Sequence, residues 1–530
     1  MCQFSTLEPL VELAPPNFLL VFCGLLAALS ISFLFLGRRR STKMIGQAEV
    51  RARNWGAYAN LKRDLTIADL KPNATATASH DAASRPVTRA PFQGLKEGGS
   101  VAVNTPPSSS SSSVYEQASP RPDIPTTQTV LMLYQPRTRY ALTPKHETPS
   151  LHFDDEVLIK VKAIGLNPID WKAPDFGFGI PTLPYISGRD YVGTIVHAHP
   201  SSPHQPRSTA SSSSSSASTT SSSDDDNNQQ GPLYLAVSTD YRDTRKAAFQ
   251  EYAIAHTHTI CRLPASLPAA SGASLGVAFV AAALTLGICF GIDFSRPPPS
   301  STSSVRGPDY LTLLNSIPAS RIPADVLSEA HGSIARGERA GSGDWLALWG
   351  GSSTTALCAL QLARLAGLRV VAVGDAAKHG ARPVATSVDL WVDSHDPQRA
   401  AEVVRGVTGG ACRFGVDFVG RETAGRLAGV LGGGEGEGGE KRQAHLVGLA
   451  SNPKGVGEGV RVHSVPIKLF HEVPEVGRAT MEWLERLLEG GLLTPPEVVV
   501  EKGGLAGVNA ALDRMRRGEI SGRRLAVELD

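Results

Sequence analysis

The 530-residue sequence predicts an α/β chain: a β-barrel domain followed by a doubly wound parallel sheet, preceded by a single transmembrane helix and a disordered tether. Three observations predict it. From Gly343 onward, apolar runs of strand length alternate with helical segments, the alternation that builds a parallel sheet. Before them, from Thr127, TQTVLMLYQ and DEVLIKVKAIGLN show the period-two alternation and β-branched content of half-buried strands. Near the start, the uncharged apolar stretch Phe18 to Leu36 has about the length that crosses a bilayer core as a helix.

Glu8 and Glu12 precede that stretch and Arg38, Arg39, Arg40 and Lys43 follow it, opposite to the polarity of a cleaved leader. The expectation is an uncleaved single-pass anchor within residues 1–44, with the rest of the chain in the cytosol because positive residues stay on that side. Residues 45–126 are dominated toward their end by Ala, Ser, Thr and Pro, with a serine run at Ser108 to Ser113, and are expected as a disordered tether.

The net charge of +2 has no basic stripe behind it, which excludes the footprint of a nucleic-acid binder. The six cysteines, Cys2, Cys23, Cys261, Cys289, Cys358 and Cys412, show no paired spacing, so neither a zinc knuckle nor a disulfide framework is expected. That favours a reducing compartment.

The β domain is expected over 127–285, interrupted at 200–230 by a serine tract ending in DDDNNQQ that cannot bury enough apolar surface to order itself. PLYLAVSTDYRD and AFQEYAIA resume the strands, and GASLGVAFVAAALTLGICFGI reads as a buried helix of small residues. The nucleotide domain, 286–480, holds the runs WLALWG, RVVAVG, DLWVD, FGVDFVG and HLVGLA. GGGEGEGGEK, at Gly432 to Lys441, has no helix directly after it and is expected as a loop insertion.

The unit GDWLALWGGSSTTALCALQLARLAGLRVVAV is strand, glycine turn, helix, strand, the arrangement that receives a nucleotide pyrophosphate. Gly350 and Gly351 let the backbone approach the phosphates, and Ser352, Ser353, Thr354 and Thr355 offer donors at the positive end of the helix dipole. Ala356, Ala359, Leu360, Ala363 and Gly367 fall on one helix face for close packing on the sheet. At the next strand end, Asp375 could accept from a ribose hydroxyl, whereas Lys378 and His379 could hold a 2′-phosphate. NADP(H) is the cofactor favoured, with NAD(H) as the other choice. Gly448, closing the HLVG run, joins the cofactor-binding set.

Together VLIKVKAIGLNPIDWK, SGRDYVGTIV, TDYRDTRKAAFQEY and GGSSTTA resemble the medium-chain dehydrogenase/reductase superfamily, and within it the zinc-independent quinone reductase and fungal enoyl reductase branch. The resemblance covers about Thr127 to Asp530. It implies a GroES-like barrel, a Rossmann domain, a return of residues 481–530 to the barrel, and a cleft where nicotinamide meets a small-molecule substrate; a homodimer is possible. Zinc-dependent members carry a Cys and a Gly-His-Glu where this chain has Asn167 and Gly188-Arg189-Asp190, so no catalytic metal is expected and the purified protein is expected to hold no zinc.

Within NPIDWK, Asn167, Asp170 and Lys172 are the candidate catalytic side chains. Lys172 leads, because a partly desolvated ammonium can hydrogen-bond a carbonyl oxygen and stabilise an enolate. Asp170 either fixes the turn or pairs with Lys172. Gly188, Gly193 and Asp190 read as backbone geometry and a turn or cleft wall, Phe249 and Tyr252 as core, and His445 as either structural or near the nicotinamide. The expected reaction is NADP(H)-dependent reduction of an activated C=C bond in an enone, quinone or enoyl thioester. A carbonyl or alcohol redox reaction, or a cofactor-binding membrane-associated protein without turnover, is the alternative.

Overall fold

The alternating strands of the first half build two sheets, and the apolar runs of the second half stack side by side. In the computed structural model, residues 124–204, 231–296, 298, 305–382, 387–433 and 442–529 are described. The expected anchor at 18–36, the tether up to 123, residues 205–230 of the insertion and residues 434–441 of the glycine-rich loop lie outside the described residues. Among the described residues no helix is long and apolar enough to cross a membrane.

In the β domain, β1 (Thr127–Leu133) pairs with β2 (Ala141–Glu147) and β4 (Tyr185–Ile186) in a three-stranded sheet. The larger sheet is built around β3 (Glu156–Gly165) and β5 (Asp190–Ala198), antiparallel with Gly165 opposite Asp190. β6 (Leu233–Val237) and β8 (Ile260–Arg262) extend it beyond β5. The other edge of β3 is shared, its first half pairing with β7 (Tyr252–His256) and its last residues with β16 (Arg524–Glu528). β15 (Val498–Glu501) lies parallel to β16, so the chain's last strands complete the sheet begun by its first. Helix α1 (Pro168–Phe176) follows β3 directly.

The second domain is a six-stranded parallel sheet of β9 (Trp345–Trp349), β10 (Arg369–Gly374), β11 (Leu390–Asp393), β12 (Phe414–Asp417), β13 (Ala444–Gly448) and β14 (Val460–His463). Its spatial order, β11-β10-β9-β12-β13-β14, is the doubly wound 3-2-1-4-5-6 order with a switch point beside the first strand. Five of the six are the apolar runs expected from the sequence.

Both faces of this sheet are covered, as parallel sheets require. Leu346, Leu348, Val370, Val416 and Val447 pack toward α2 (Gly276–Leu284), α3 (Thr354–Leu365) and α7 (Pro474–Glu489). Ala347, Trp349, Val371 and Val373 pack toward α5 (Pro397–Val407) and α6 (Arg421–Ala428). Between β10 and β11 lies the short α4 (Ala376–His379), and α8 (Gly504–Arg516) precedes β16.

Two expectations need correction. GASLGVAFVAAALTLGICFGI is buried, but it is divided: a short helix ends at Ala273, α2 begins at Gly276, and Thr285–Cys289 form a wider π turn. The break fits the packing, because a β-carbon at Gly276 would lie 2.1 Å from the Asp190 carboxylate and one at Gly287 2.3 Å from the Tyr310 ring. Gly367 is not on the face of α3; it lies past the helix end with φ of +79°, where glycine turns the chain into β10.

Candidate active site

Strand β9 runs out at Trp349, and a tight turn leads into α3. Gly350 has φ of +90°, and the amides of Gly350 and Gly351 both donate to the Val373 carbonyl at 2.9 Å. Ser353 caps α3, its hydroxyl accepting from the Ala356 amide at 3.2 Å. The hydroxyls of Ser352, Thr354 and Thr355 have no side-chain hydrogen bond within the described residues. The first turn of a 12-residue helix thus presents half-exposed hydroxyls and amides, an arrangement suited to an anion. This cradle fits a dinucleotide pyrophosphate.

The role expected of Gly351 changes. A β-carbon there would stand 2.9 Å from the Ala372 β-carbon and 3.3 Å from the Trp391 indole, and one at Gly374 would stand 2.7 Å from the same indole. The protein's own Trp391, more than a phosphate, requires these glycines. Sequence reading did not single out Trp391; its signal was a large ring in the short edge strand DLWVD, facing two glycines.

At the end of β10, Asp375 caps α4 and accepts from the Lys378 amide at 3.0 Å, while its carboxylate pairs with Lys378 Nζ at 2.6 Å. His395 Nε2 stands 3.7 Å from the same carboxylate. Asp375 and Lys378 are therefore together, and Lys378 remains two-thirds exposed. His379 is not available to a 2′-phosphate: it is buried, and Nε2 meets the Ser521 hydroxyl at 3.0 Å. Gly448, at the end of β13, gives its amide to Asn452 Oδ1 at 3.0 Å.

On the barrel side, Asn167 is the residue before α1, and its amide donates to Asp170 Oδ2 at 2.7 Å. Its side chain turns the other way. Nδ2 donates to Asp190 Oδ2 at 2.8 Å, and Oδ1 accepts from Arg524 Nη2 at 2.6 Å. Arg524 also meets Asp190 Oδ2 at 2.8 Å, and the other Asp190 oxygen accepts from the Val277 amide at 2.8 Å. Asp190 is thus a fully buried ion-pair partner at the join of barrel and α2, not a turn or cleft-wall residue. Burial pushes its carboxyl up, against the lowering effect of Arg524 and Asn167. Arg524, arriving from 357 residues away, was not foreseen; its one signal was a charged residue opening the strand RLAVE ahead of three apolar residues.

Asp170 is completely buried, and burial raises its carboxyl to about 7, opposed by the Asn167 amide. It caps α1, and no ion pair joins it to Lys172. Lys172 is half-buried and has no hydrogen bond or ion pair among the described residues; burial lowers its ammonium pKa, and Nζ stands 5.7 Å from the Trp171 ring centroid. Of the three candidates in NPIDWK, Asn167 and Asp170 are joined and Lys172 stands apart from both.

Arg189 is buried, donates to the Tyr185 hydroxyl at 2.9 Å, and stacks 3.6 Å from the Tyr241 ring centroid. At the positions compared with a zinc site, the donors are therefore an amide, a guanidinium and a carboxylate already paired with Arg524, a set that does not fit a zinc ion. Phe249 is core, edge-on to Tyr140 at 5.3 Å, and Gly188 and Gly193 are fixed by close contacts with Phe249 and the Lys160 carbonyl. His445 lies early in β13, away from the strand's carboxyl end, and faces His463.

Residues 153–265 match the model of the alcohol dehydrogenase GroES-like domain. Residues 366–434, which here span β10 to β12 with α4 to α6, match the model described as AIR synthase related protein, N-terminal domain. A trans-enoyl reductase of Thermothelomyces thermophilus is 24% identical over 403 residues, covering 72% of this chain and 92% of its own. A trans-enoyl reductase of Aspergillus niger is 25% identical over 420 residues, 76% of this chain and 98% of its own. Among solved structures, a quinone oxidoreductase of Pseudomonas syringae superposes with a TM-score of 0.51 at 13% identity, over 76% of this chain and all of that one. An alcohol dehydrogenase superfamily protein of Novosphingobium aromaticivorans gives the same TM-score, 0.51, at 16% identity, over 76% and 100%. These superpositions carry the fold.

Proposed function

We propose that this chain, which belongs to the medium-chain dehydrogenase/reductase superfamily and is an oxidoreductase, uses NADPH to reduce an activated carbon–carbon double bond in an enone, quinone or enoyl thioester. The observation that carries the reading is the glycine turn at the switch point of a 3-2-1-4-5-6 sheet, joined to a barrel whose metal-ligand positions hold Asn167 and Arg189. Relatives named trans-enoyl reductases, aligned over most of the folded chain, favour alkene over alcohol chemistry.

Bound at the turn, the cofactor supplies hydride. The chain's part is to hold the pyrophosphate on the α3 amides and the hydroxyls of Ser352, Thr354 and Thr355. Lys172 then hydrogen-bonds the substrate carbonyl oxygen and stabilises the negative charge that grows there, or hands a proton to the α-carbon. Its desolvation suits this, since an unpaired, half-buried ammonium keeps its donors for a ligand. Because burial lowers its pKa, the ammonium and the activity that needs it are lost with rising pH below the ordinary lysine range.

The test is stopped-flow oxidation of NADPH against enones, quinones and acyl thioesters, with simple alcohols plus NADP as the reverse control. Alkene reduction is expected to outrun alcohol oxidation. Lys172→Ala is expected to slow the chemical step by roughly a hundredfold with cofactor affinity unchanged. Faster alcohol oxidation overturns the reaction class; an undiminished Lys172→Ala overturns the residue. We also read 18–36 as a single membrane crossing that leaves the catalytic part in the cytosol, on its flanking charges. Protease protection of the catalytic part in sealed microsomes would reverse that orientation.

A further inference from the structure

We propose that Cys289, Glu329 and His463 form a binding site for one zinc-type divalent metal ion, separate from the nucleotide turn and backed by His445. Cys289 closes the π turn after α2, Glu329 sits in the short helix Leu327–Gly332, and His463 ends β14. One ligand atom from each, the thiol sulfur, a carboxylate oxygen and an imidazole nitrogen, all lie within 4.8 Å of one another. Thiolate, carboxylate and imidazole are zinc's ligands, and three of them leave one position of a tetrahedron open. Cys289 and His463 are inaccessible, while Glu329, 15% exposed, gives the site its path to solvent.

A second observation points to a cation here. His463 Nδ1 stands 3.0 Å from Glu329 Oε2, and His463 Nε2 stands 2.9 Å from His445 Nδ1. If both rings are neutral and no ion is bound, His463 donates from Nδ1 to Glu329 and its Nε2 must accept from His445 Nδ1. That leaves His445 Nε2 as a bare lone pair. It is buried and has no hydrogen-bond partner, and the Glu338 carboxylate, itself paired with Arg413, stands 4.0 Å away.

A cation on His463 Nδ1 reverses the chain. His463 then donates from Nε2 to His445 Nδ1, and His445 carries its proton on Nε2, toward Glu338. The two rings hold two ring protons before and after. The net loss on binding is the Cys289 thiol proton, released to solvent as sulfur becomes a metal ligand. His445 in turn orients His463, as the hydrogen-bonded partner of a ligating histidine does. This departs from the sequence expectation of a chain without metal, which rested on cysteine spacing; the ligands come from three distant stretches that only the fold assembles.

The test uses the full chain, freed of metal by chelation and titrated with cobalt(II) and then zinc(II). One cobalt per chain is expected, with a thiolate-to-cobalt charge-transfer absorption that zinc abolishes. Cys289→Ser should lose that absorption, and Cys261→Ser, another buried cysteine, should keep it. Glu329→Gln, at the solvent-reaching ligand, should bind cobalt at least tenfold more weakly and decides the matter if Cys289→Ser does not fold. His445→Phe should weaken binding about 10- to 100-fold. A wild-type chain that takes up no cobalt overturns the site, as does a charge-transfer band that survives in Cys289→Ser. The readout is metal, so failure here leaves the reductase reading untouched.

Discussion

The turn after β9 and the cluster before α1 are both polar and both carry candidate residues, yet their polar atoms are differently engaged. At the turn, Ser352, Thr354 and Thr355 keep free hydroxyls at an uncovered helix start. In the cluster, Asn167, Asp190 and Arg524 are hydrogen-bonded to one another in the buried interior, and Asp170 closes the α1 cap. Groups with all partners inside the protein maintain architecture, because freeing them for a ligand strands a buried charge. Groups without partners at a helix start are available to bind. The catalytic reading of Asn167 and Asp170 weakens on this contrast, and that of Lys172, which has no partner, does not.

The largest expected effect breaks the buried side. Arg524→Leu leaves the Asp190 carboxylate 0% exposed without its cation, a loss of about 3–5 kcal/mol by analogy with broken buried pairs. Adding Asp190→Asn should recover a large part of it, since no charge is then stranded. Urea unfolding of the single and double variants measures this; if the double variant is as unstable as Arg524→Leu, the ion pair is not what holds the join together.

Asp170 offers the next largest effect, through pH. Its folded carboxyl titrates near 7 because of burial, above the ordinary value of 3.8, so the folded state binds the proton more tightly than the unfolded one. The stability this gives is complete below about pH 4 and is lost as pH rises toward 7, by up to about 4 kcal/mol. Asp170→Asn mimics the protonated form and should flatten that decline between pH 4 and 7. Unchanged slopes in denaturation curves across this window would return Asp170 to an ordinary, ionised carboxylate.

How much of this was legible follows the range of each signal. Apolar runs bounded by glycine set out five parallel strands, and GGSST set out the turn, because strand burial and helix capping depend on neighbours a few residues apart. What failed was long-range. Nothing near Asn167 announces Arg524, nothing near Gly351 announces the Trp391 indole, and His445 acquires its partner only when β13 and β14 align. The division of the GASLG helix likewise answers to Asp190 and Tyr310, which lie outside it.

Gly351→Val sharpens the contrast from the turn's side. Its branched side chain meets Ala372 and Trp391, so overpacking should lower stability by about 1–3 kcal/mol while cofactor binding is abolished. Trp391→Leu in the same chain should restore stability and, with the turn back in place, a large part of the affinity, since the added side chain points at Trp391. Calorimetry with NADPH and urea unfolding separate the two, and normal affinity in folded Gly351→Val would remove the cofactor from this turn.

The smallest effect concerns Lys378, the group at the turn's rim with the least to hold it in place. It is 67% exposed, and its 2.6 Å contact with Asp375 joins residues one helical turn apart at the surface, the kind of pair worth at most about 1 kcal/mol. The Asp375 carboxylate accepts from the α4 amide as well as from Lys378 Nζ, so it stays ionised beside any ribose bound there and would repel a 2′-phosphate if Lys378 were gone. Lys378→Ala should therefore lower the preference for NADPH over NADH about 2- to 5-fold, the ratio equivalent to roughly 0.5–1 kcal/mol. The change should shrink with added salt, since the interaction is exposed. The measurement is kcat/KM with each cofactor at low and high ionic strength. A ratio that does not move means that Lys378 serves only to pair with Asp375, and that the choice between the two cofactors is made elsewhere along the turn.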